Sequence, residues 1–254
     1  MSYISYSDLP KFYKKFVEAR SQDYIKFVHW FLAILNQHGI EGKEILSLAC
    51  GSCLAETILA SRGFQIIGID LSEGMLIEAK KNIQNNSIKL IRGDMSNIPI
   101  KKNFNAVIAH YFSLNYLTDI SHLQRCLKQV YEALRKGGIF FFDIIHATHY
   151  HDNKELDSEN VIFYENPGLI SVIKQKKKIN NVVEDQYFNF FLDEGTNQYT
   201  LVRENHLIRR HTREEMLNAL MKVGFDENKI KIMKYLEMSI PDSNDNRIAF
   251  IAEK

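Results

Sequence analysis

Small residues and carboxylates recur where short apolar runs end in the first half of this sequence. The four positions in chain order are Ala49-Cys50-Gly51, Asp70, Asp94-Met95 and His110-Tyr111. Small side chains let the backbone approach a ligand closely, and a carboxylate at a strand end can accept both hydroxyls of a ribose. A second carboxylate can accept a hydrogen bond from the exocyclic amine of adenine. The ordered set predicts a site for a nucleoside-type cofactor.

The choice of cofactor follows from the glycines that are missing. A dinucleotide fingerprint needs G-x-G-x-x-G, and the matching positions here are Ala49, Gly51 and Leu54. The chain also lacks a G-x-x-x-x-G-K-[ST] phosphate loop. S-adenosylmethionine (SAM) carries no phosphate and needs only a close-approach turn and two carboxylates. The residues therefore favour SAM, with S-adenosylhomocysteine as its product, over NAD.

The elements that must position these residues alternate between strands and helices. Apolar spacing predicts one helix over residues 8–37, followed by strands at 45–49, 64–69, 88–92, 106–109 and 139–145 and helices at 55–61, 73–83 and 121–134. Lys136-Gly137-Gly138 is expected to form a turn before the last of these strands. Such alternation is typical of the α/β class with a parallel, doubly wound sheet.

The second half of the chain has a different pattern. Runs rich in β-branched and aromatic residues lie at 161–163, 169–174, 182–191 and 199–207, with no helical pattern between them. A capping box at 212–215 opens a helix that Gly224 ends, and strands at 229–235 and 247–252 follow. We expect a Rossmann-like cofactor domain of residues 1–146 and 207–254. An antiparallel insertion of residues 147–206 is expected to cover the active site.

Composition narrows the class of partner. The 254 residues are 45% hydrophobic and 25% charged, with a net charge of +1, whereas proteins that bind nucleic acid usually carry a clear basic excess. No apolar run approaches the roughly 20 residues that span a bilayer. Three cysteines form no disulfide framework. We expect a cytoplasmic protein with a small-molecule partner and neither nucleic acid nor membrane. The oligomeric state stays open, with a homodimer as one alternative.

Four segments resemble the motifs of the class I SAM-dependent methyltransferase family. They are the glycine-rich segment 46–51, the ribose segment 68–76, the adenine segment 92–95 and the turn 134–138. The resemblance covers about residues 44–146. It implies a seven-stranded methyltransferase sheet, with the small antiparallel insertion after the fifth strand, and transfer of a methyl group from SAM to an acceptor.

A weaker similarity extends to amino-sugar N,N-dimethyltransferases and to glycine and sarcosine methyltransferases. It rests on Tyr13, Arg20, Asp23 and Tyr24, and implies a small acceptor near Tyr13 and the cofactor near His110. Motifs and resemblance together assign cofactor binding to Tyr24, Ala49, Cys50, Gly51, Asp70, Leu71, Met75, Asp94, Met95 and His110. The residues assigned to the acceptor are Tyr13, Tyr111, Tyr116 and His211. The acceptor atom is expected to be nitrogen or oxygen.

Two positions depart from the family pattern. Ser47 stands where the family usually has an acidic residue that helps orient the methionine amino end, and Cys53 stands where it usually has glycine. These departures motivate an alternative function, a catalytically silent module that binds SAM or S-adenosylhomocysteine. A third alternative, an RNA methyltransferase, conflicts with the near-neutral charge.

Several side chains have both a chemical and a structural interpretation. An oxygen acceptor would need a general base, for which His110 and His146 are the candidates, whereas an amine can lose its proton to water. Cys50 and Cys53 form C-x-x-C, which is more simply structural because a zinc site needs about four ligands. His149 and His151 lie in the same segment as His146, where a solvated loop is the simpler interpretation. No metal is expected.

Overall fold

Two β-sheets organise the computed structural model, which describes residues 6–19, 24–84, 86–100, 102–146, 159–177, 181–242 and 245–254. The strands are β1 (Glu44–Leu48), β2 (Gln65–Asp70), β3 (Ile88–Arg92), β4 (Phe104–Ala109), β5 (Leu134–Ile145), β6 (Glu159–Asn166), β7 (Leu169–Lys177), β8 (Val182–Asp193), β9 (Gln198–Arg209), β10 (Ile230–Lys234) and β11 (Arg247–Glu253). The α-helices are α1 (Tyr13–Ala19), α2 (Tyr24–Gln37), α3 (Leu54–Ser61), α4 (Glu73–Asn82), α5 (Ile120–Ala133) and α6 (Arg213–Val223). Within the described residues, 3-10 helices lie at Pro10–Phe12, Ser113–Tyr116 and Glu227–Lys229.

The larger sheet has seven strands in the order β10-β11-β5-β4-β1-β2-β3. Strands β1 to β5 pair in parallel, while β11 runs antiparallel to both β5 and β10. Because β1 lies between β2 and β4, the strand order reverses there, and a crevice forms at the carboxyl ends of these strands. This topology confirms the predicted α/β class and seven-stranded sheet.

Helices cover both faces of the large sheet because its strands are apolar on both sides. On one face, α2 and α3 pack through residues such as Phe31 and Leu59, which are fully buried. On the other face, α5 and α6 contribute Leu127 and Leu220, which are also fully buried. The sheet is thus a rigid floor for side chains at its carboxyl edge.

The smaller sheet is antiparallel, with the order β6-β7-β8-β9, which confirms the predicted insertion after the fifth strand. Its last strand continues to Arg209, so the predicted domain boundary at residues 206–207 lies inside β9. Leu169, Phe191 and Val202 from this sheet pack with the N-terminal segment in a separate apolar cluster. Among the described helices, none combines the length and apolar character needed to cross a bilayer.

Two predicted elements differ from the structure. The single helix expected over 8–37 is a 3-10 turn followed by the separate helices α1 and α2, and residues 20–23 between them, including Arg20 and Asp23, lie outside the described residues. The turn expected at 136–138 is part of β5. Between Leu134 and Ile139, the register of β5 against β4 shifts, and Gly137 there has a φ of +75°. The glycines permit this irregularity without ending the strand.

Candidate functional site

A cavity of about 520 Å³ lies at the carboxyl ends of β1, β2 and β4. The residues that line it are Tyr6, Tyr13, Tyr24, Ala49, Cys50, Gly51, Ser52, Leu54, Asp70, Leu71, Ser72, Met75, Gly93, Asp94, Met95, His110, Tyr111, Ser113, Tyr116, Leu117, Thr118, His122 and Leu207. They include all ten residues predicted to bind the cofactor. We call this space the large cavity.

The turn after β1 brings bare backbone to the wall of the large cavity. Ala49, Gly51 and Cys53 all have positive φ angles, of 49°, 55° and 58°. A Cβ atom at Gly51 would lie 3.0 Å from Cε of Met75, so a side chain there would crowd the wall. This left-handed backbone is costly for non-glycine residues, and such strain is frequent at binding sites. Cys53 therefore fits the turn in a conformation that glycine adopts more easily.

Asp70 is the carboxylate at the end of β2. Its Oδ2 accepts a hydrogen bond from the Gly51 N–H at 2.8 Å, and its Oδ1 accepts one from the Ser72 N–H at 2.8 Å. Burial raises the pKa of Asp70 above its usual range, although these backbone hydrogen bonds act in the opposite direction. Each carboxylate oxygen has two acceptor positions, so both oxygens can still accept hydroxyl groups from a ligand.

Asp94 follows β3 and completes the pair of carboxylates on this wall. Its Oδ1 accepts a hydrogen bond from the Ser96 N–H at 2.7 Å, which fixes the side chain as a turn former. Met95 and Leu71 add apolar surface to the same wall, and Leu71 is 52% exposed. Two fixed carboxylates beside apolar side chains suit a sugar and a flat heterocycle.

His110 directly follows β4, and its ring contacts a buried glutamate. Its Nε2 lies 3.2 Å from Oε1 of Glu56, and the same oxygen accepts a hydrogen bond from Ser47 Oγ at 2.6 Å. The His110 ring also packs against Phe27, with 4.7 Å between ring centroids. Sequence reasoning missed Glu56, which lies on α3 outside the motifs.

The loop after β4 is held by a second buried carboxylate that sequence reasoning missed. Asp143 of β5 accepts hydrogen bonds from the N–H groups of Tyr111 at 2.7 Å and Phe112 at 2.9 Å, both of which have positive φ. Arg247 pairs with Asp143 at 2.7 Å, and its guanidinium lies 3.4 Å from the ring centroid of Tyr235. The interruption of an apolar strand by an aspartate was the signal that could have identified it.

A second cavity of about 210 Å³ adjoins the first and is almost wholly aromatic. Its wall consists of Tyr6, Leu9, Tyr13, Phe16, Tyr111, Phe112, Tyr116, Tyr187 and His206. Four tyrosines, Tyr6, Tyr13, Tyr111 and Tyr116, line both cavities. We call this space the aromatic chamber. It contains three of the four residues predicted to contact the acceptor.

A chain of polar atoms crosses the aromatic chamber. The Tyr116 hydroxyl lies 2.6 Å from Nδ1 of His206 and 3.2 Å from the Tyr6 hydroxyl. Burial lowers the pKa of His206 to about 4, and it raises the pKa of both tyrosines well above the usual value. At neutral pH, this row of hydrogen-bonded side chains therefore consists of uncharged groups.

The N-terminal segment closes the aromatic chamber from above. The buried carboxylate of Glu204 on β9 accepts hydrogen bonds from the N–H groups of residues 6, 7, 8 and 9, at 2.9, 3.3, 2.7 and 2.7 Å. Ser72 Oγ also donates to the Tyr6 carbonyl at 3.0 Å. Tyr6 and Leu9 are thereby fixed over the chamber by a strand of the small sheet.

Two predicted site residues lie away from both cavities. His146 forms a bridge with His211, and its Nε2 accepts a hydrogen bond from the Arg213 N–H at 2.9 Å, at the start of α6. His211 is fully buried. Neither residue is among the described residues that line the cavities. His149 and His151 lie outside the described residues.

The two cysteines of the C-x-x-C segment have structural surroundings. Both are buried, and the pKa of each thiol is raised, for Cys50 by the hydrogen bond that it donates to Cys53 and by burial, and for Cys53 by burial against the effect of that hydrogen bond. A raised pKa leaves little of the reactive thiolate. Within the described ranges, no group of three or more His, Cys, Asp or Glu side chains is arranged to hold a metal ion.

Two of the buried histidines, His206 and His211, predict an acid-sensitive fold. Burial lowers the pKa of His206 and of His211 from 6.5 to about 4, so both are neutral in the folded protein. Their contribution to stability is complete above pH 6.5 and is lost as the pH falls towards 4. We expect the free energy of unfolding to fall by up to about 3 kcal/mol per histidine across this window. Urea denaturation at a series of pH values measures it.

The matched comparison is between buried and exposed histidines. Replacing His206 and His211 together with asparagine should flatten the pH dependence between 6.5 and 4, whereas replacing the exposed His122 should leave it unchanged. An equally steep dependence in the double variant would contradict this assignment.

The residues of the large cavity fit S-adenosylmethionine. Its turn presents backbone at positive φ, Asp70 and Asp94 present carboxylates at strand ends, and Gly51 leaves space that a Cβ atom would fill. The two carboxylates can accept hydrogen bonds from the hydroxyl and amine groups of a ligand. The cavity lacks the glycine-rich loop that phosphates need.

Comparison with known proteins agrees with this fit. A family model described as a methyltransferase domain matches residues 45–138. The putative methyltransferase YqeM of Bacillus subtilis is 30% identical over 238 residues, which cover 91% of this chain and 90% of that protein. The dTDP-3-amino-3,4,6-trideoxy-alpha-D-glucopyranose N,N-dimethyltransferase of Streptomyces venezuelae is 25% identical over 50% of this chain and 53% of its own length.

The fold has a close counterpart among solved structures. The crystal structure of a S-adenosylmethionine-dependent methyltransferase from Clostridium acetobutylicum superposes with a TM-score of 0.81 and 22% identity, covering 96% of this chain and 97% of the other. That likeness shows the shared fold, and the similarity to YqeM along most of the chain shows the family. This protein belongs to the S-adenosylmethionine-dependent methyltransferases and is an enzyme of that family.

Proposed function

We propose that the enzyme transfers a methyl group from SAM to a nitrogen atom of a small, neutral amine in the aromatic chamber. The observation that carries this proposal is the composition of the chamber wall. Among its described residues there is no Asp, Glu, Lys or Arg, and seven of the nine are Tyr or Phe. A carboxylate or phosphate acceptor would be desolvated there without a cation to pair with it.

The product of the proposed transfer suits this wall better than the reactant does. A neutral amine becomes a cationic ammonium as the new bond forms, and aromatic faces attract cations by about 0.5–2 kcal/mol each. Interactions that strengthen as charge develops lower the barrier instead of merely tightening binding. When bound, SAM supplies a methyl group that is already activated, so the residues mainly position the acceptor.

The polar chain of the chamber supports nitrogen over oxygen as the acceptor atom. An alcohol or phenol would need a general base, and His206 is a weak one because burial lowers its pKa to about 4. Its Nδ1 is also already within hydrogen-bond distance of the Tyr116 hydroxyl. The Tyr116 and Tyr6 hydroxyls can instead accept an N–H of the acceptor and orient its lone pair.

The proposal assigns the predicted residues to the two cavities. Asp70 would hold the ribose and Asp94 the adenine amine, while the aromatic chamber would hold the acceptor beside Tyr13, Tyr111 and Tyr116. His110 lines the large cavity only, and its Nε2 faces Glu56, so we assign it to the cofactor side. The small sheet would act as a separate covering unit, since Tyr187 and His206 form part of the chamber wall.

The similarity to N-methylating enzymes points the same way. The Streptomyces venezuelae relative is named as an N,N-dimethyltransferase of an amino sugar, and a relative from Aphanothece halophytica as a glycine/sarcosine N-methyltransferase. A small amine acceptor is also consistent with the near-neutral net charge of +1, which does not favour nucleic acid.

A panel assay tests the acceptor. The enzyme and SAM are incubated with amino sugars, amino acids and simple amines, and in parallel with phenols, alcohols and carboxylates, while S-adenosylhomocysteine release and product mass are measured. We expect turnover with amines only, rising with pH as the acceptor loses its proton. Replacing Tyr116 with alanine should lower kcat/KM, whereas replacing Phe163, which is 62% exposed on the small sheet, should not.

Two outcomes would contradict the proposal. An O-methylated product would show that the chamber activates a hydroxyl group. Binding of SAM and S-adenosylhomocysteine without turnover on any acceptor would favour the silent module that Ser47 and Cys53 suggested.

A further inference from the structure

A buried carboxylate behind the large cavity has one oxygen that no described residue satisfies. Glu56 on α3 is fully buried. Its Oε1 accepts the hydrogen bond from Ser47 Oγ and lies 3.2 Å from His110 Nε2. Its Oε2 has no hydrogen-bond partner among the described residues, and neither has Nδ1 of His110. Leaving a buried carboxylate oxygen unpaired costs more than leaving a neutral group so.

The position of Glu56 is defined by the strands that flank it. Ser47 lies on β1 and His110 directly follows β4, and these two strands are neighbours in the sheet. Asp70 instead ends β2 and Asp94 follows β3, on the other side of β1. A nucleoside held over β2 and β3 would therefore leave the rest of its molecule over the ends of β1 and β4, where Glu56 lies behind the wall.

The unpaired Oε2 of Glu56 lacks a hydrogen-bond donor, and a donor that carries a positive charge would also balance the charge of the carboxylate. The amino-acid arm of SAM carries an α-ammonium, which has one positive charge and three donors. The family pattern places an acidic residue at the position of Ser47, and here the Ser47 hydroxyl donates to a carboxylate from the next helix instead. The negative charge is present at nearly the same place, although it comes from a different residue.

We propose that Glu56 supplies the negative charge that neutralises the α-ammonium of SAM, in place of an acidic residue at position 47. This inference rests on the proposed placement of the nucleoside at Asp70 and Asp94. Ser47 and His110 orient the Glu56 carboxylate, and Glu56 acts as a positioning residue for the amino-acid arm. The departure at Ser47 is then compensated and gives no reason for a silent module.

Binding measurements with two ligands test this role without any acceptor. S-adenosylhomocysteine carries the amino-acid arm, whereas 5′-methylthioadenosine has the same nucleoside and thioether but no arm. For Glu56→Gln, we expect calorimetry to show about 10- to 100-fold weaker binding of S-adenosylhomocysteine, the usual range for a hydrogen bond to a charged group. Affinity for 5′-methylthioadenosine should change less than about twofold.

The exposed carboxylate of Glu73, in the first turn of α4, provides the matched control. Glu73→Gln should leave both affinities unchanged. If Glu56→Gln weakened both ligands equally, Glu56 would be only a structural support for His110. If it weakened neither, the proposal would be overturned. Failure to bind 5′-methylthioadenosine by the unmodified enzyme would instead refute the proposed nucleoside site.

Placing a carboxylate at position 47, in a variant that lacks the carboxylate of Glu56, provides a second, independent test. The double variant Ser47→Asp, Glu56→Ser exchanges the two side-chain types across the same hydrogen bond. We expect Glu56→Ser alone to lose affinity for S-adenosylhomocysteine and the double variant to recover at least tenfold of it. A double variant that folds and binds 5′-methylthioadenosine, but recovers nothing, would overturn the proposal even if Glu56→Gln failed to fold.

Discussion

Replacing Asp70 with asparagine is expected to weaken S-adenosylhomocysteine binding by about 100-fold or more. The carboxylate already accepts hydrogen bonds from the Gly51 and Ser72 N–H groups, and each oxygen has a second acceptor position that a ribose hydroxyl can use. Asparagine keeps the shape but removes the charge and one acceptor. Hydrogen bonds to charged groups contribute about 1.5–3 kcal/mol each, so losing two ribose contacts accounts for the effect. Isothermal titration calorimetry measures it directly.

The pH dependence of binding separates the charge of Asp70 from its shape. Burial raises the pKa of Asp70, and the carboxylate accepts well only above that pKa. The affinity of the unmodified enzyme should therefore fall on acidification, beginning at a higher pH than for an ordinary aspartate. The asparagine variant should show no such fall. If Asp70→Asn changed the affinity for S-adenosylhomocysteine by less than about twofold at neutral pH, the assignment of Asp70 to the ribose would be contradicted.

Asp94 offers a control that uses the base instead of the sugar. If Asp94 accepts the adenine amine, Asp94→Asn should reduce discrimination between S-adenosylhomocysteine and its inosine counterpart, whose base lacks that amine. Asp70→Asn should weaken both ligands and leave the discrimination unchanged. An unchanged preference in Asp94→Asn would mean that the adenine lies elsewhere.

The part of the site at the carboxyl edge of the large sheet could be predicted because its residues lie at or directly after the ends of strands. Gly51, Asp70, Asp94 and His110 each come just after a short apolar run, and parallel strands end at the same edge of a sheet. Both the fold class and this clustering therefore depend only on local patterns. No knowledge of long-range packing was needed to bring these residues together.

The part of the site that the small sheet and the N-terminal segment form depends on contacts that no local pattern specifies. Glu204 contacts the N–H groups of residues 6–9 across most of the chain, and His206 contacts Tyr116, which is 90 residues away in the sequence. A signal did exist, because Val202, Glu204, His206 and Ile208 alternate along β9 and are all buried. A carboxylate and an imidazole on the apolar face of a strand are costly unless they have partners. The pattern reveals that partners exist without identifying them.

The prediction for His146 rested on its place just past the fifth strand, where active-site mouths are common. The structure differs because the end of β5 bridges to His211, beside the start of α6, and this carries the His146 side chain away from the crevice. His211 packs in the interior with its ring fully enclosed. Position along the sequence gives the correct sheet edge, whereas the bridge to the following segment decides which way the side chain faces.

Replacing Glu204 with alanine is expected to release the N-terminal segment and open the aromatic chamber. Residues 6–9 would lose four hydrogen bonds to one buried carboxylate, and the buried Leu9 N–H left unpaired would by itself cost about 1–3 kcal/mol. Detachment of the segment avoids that cost by exposing these groups to water. We expect hydrogen–deuterium exchange at residues 6–9 to accelerate at least about 100-fold, with faster dissociation of S-adenosylhomocysteine because Tyr6 also lines the large cavity.

The control for Glu204 lies on the same sheet. Glu165 on β6 is exposed, so Glu165→Ala removes a carboxylate without touching the segment and should leave its exchange unchanged. Glu204→Gln should be intermediate, because one amide oxygen can still accept while the amide nitrogen faces donors. Exchange at residues 6–9 that stayed slow in Glu204→Ala would mean that Leu9 and its apolar neighbours hold the segment by themselves. With rapid exchange, by contrast, the buried carboxylate is what keeps Tyr6 over the aromatic chamber, and faster dissociation of S-adenosylhomocysteine would show that ligand exchange requires these hydrogen bonds to open.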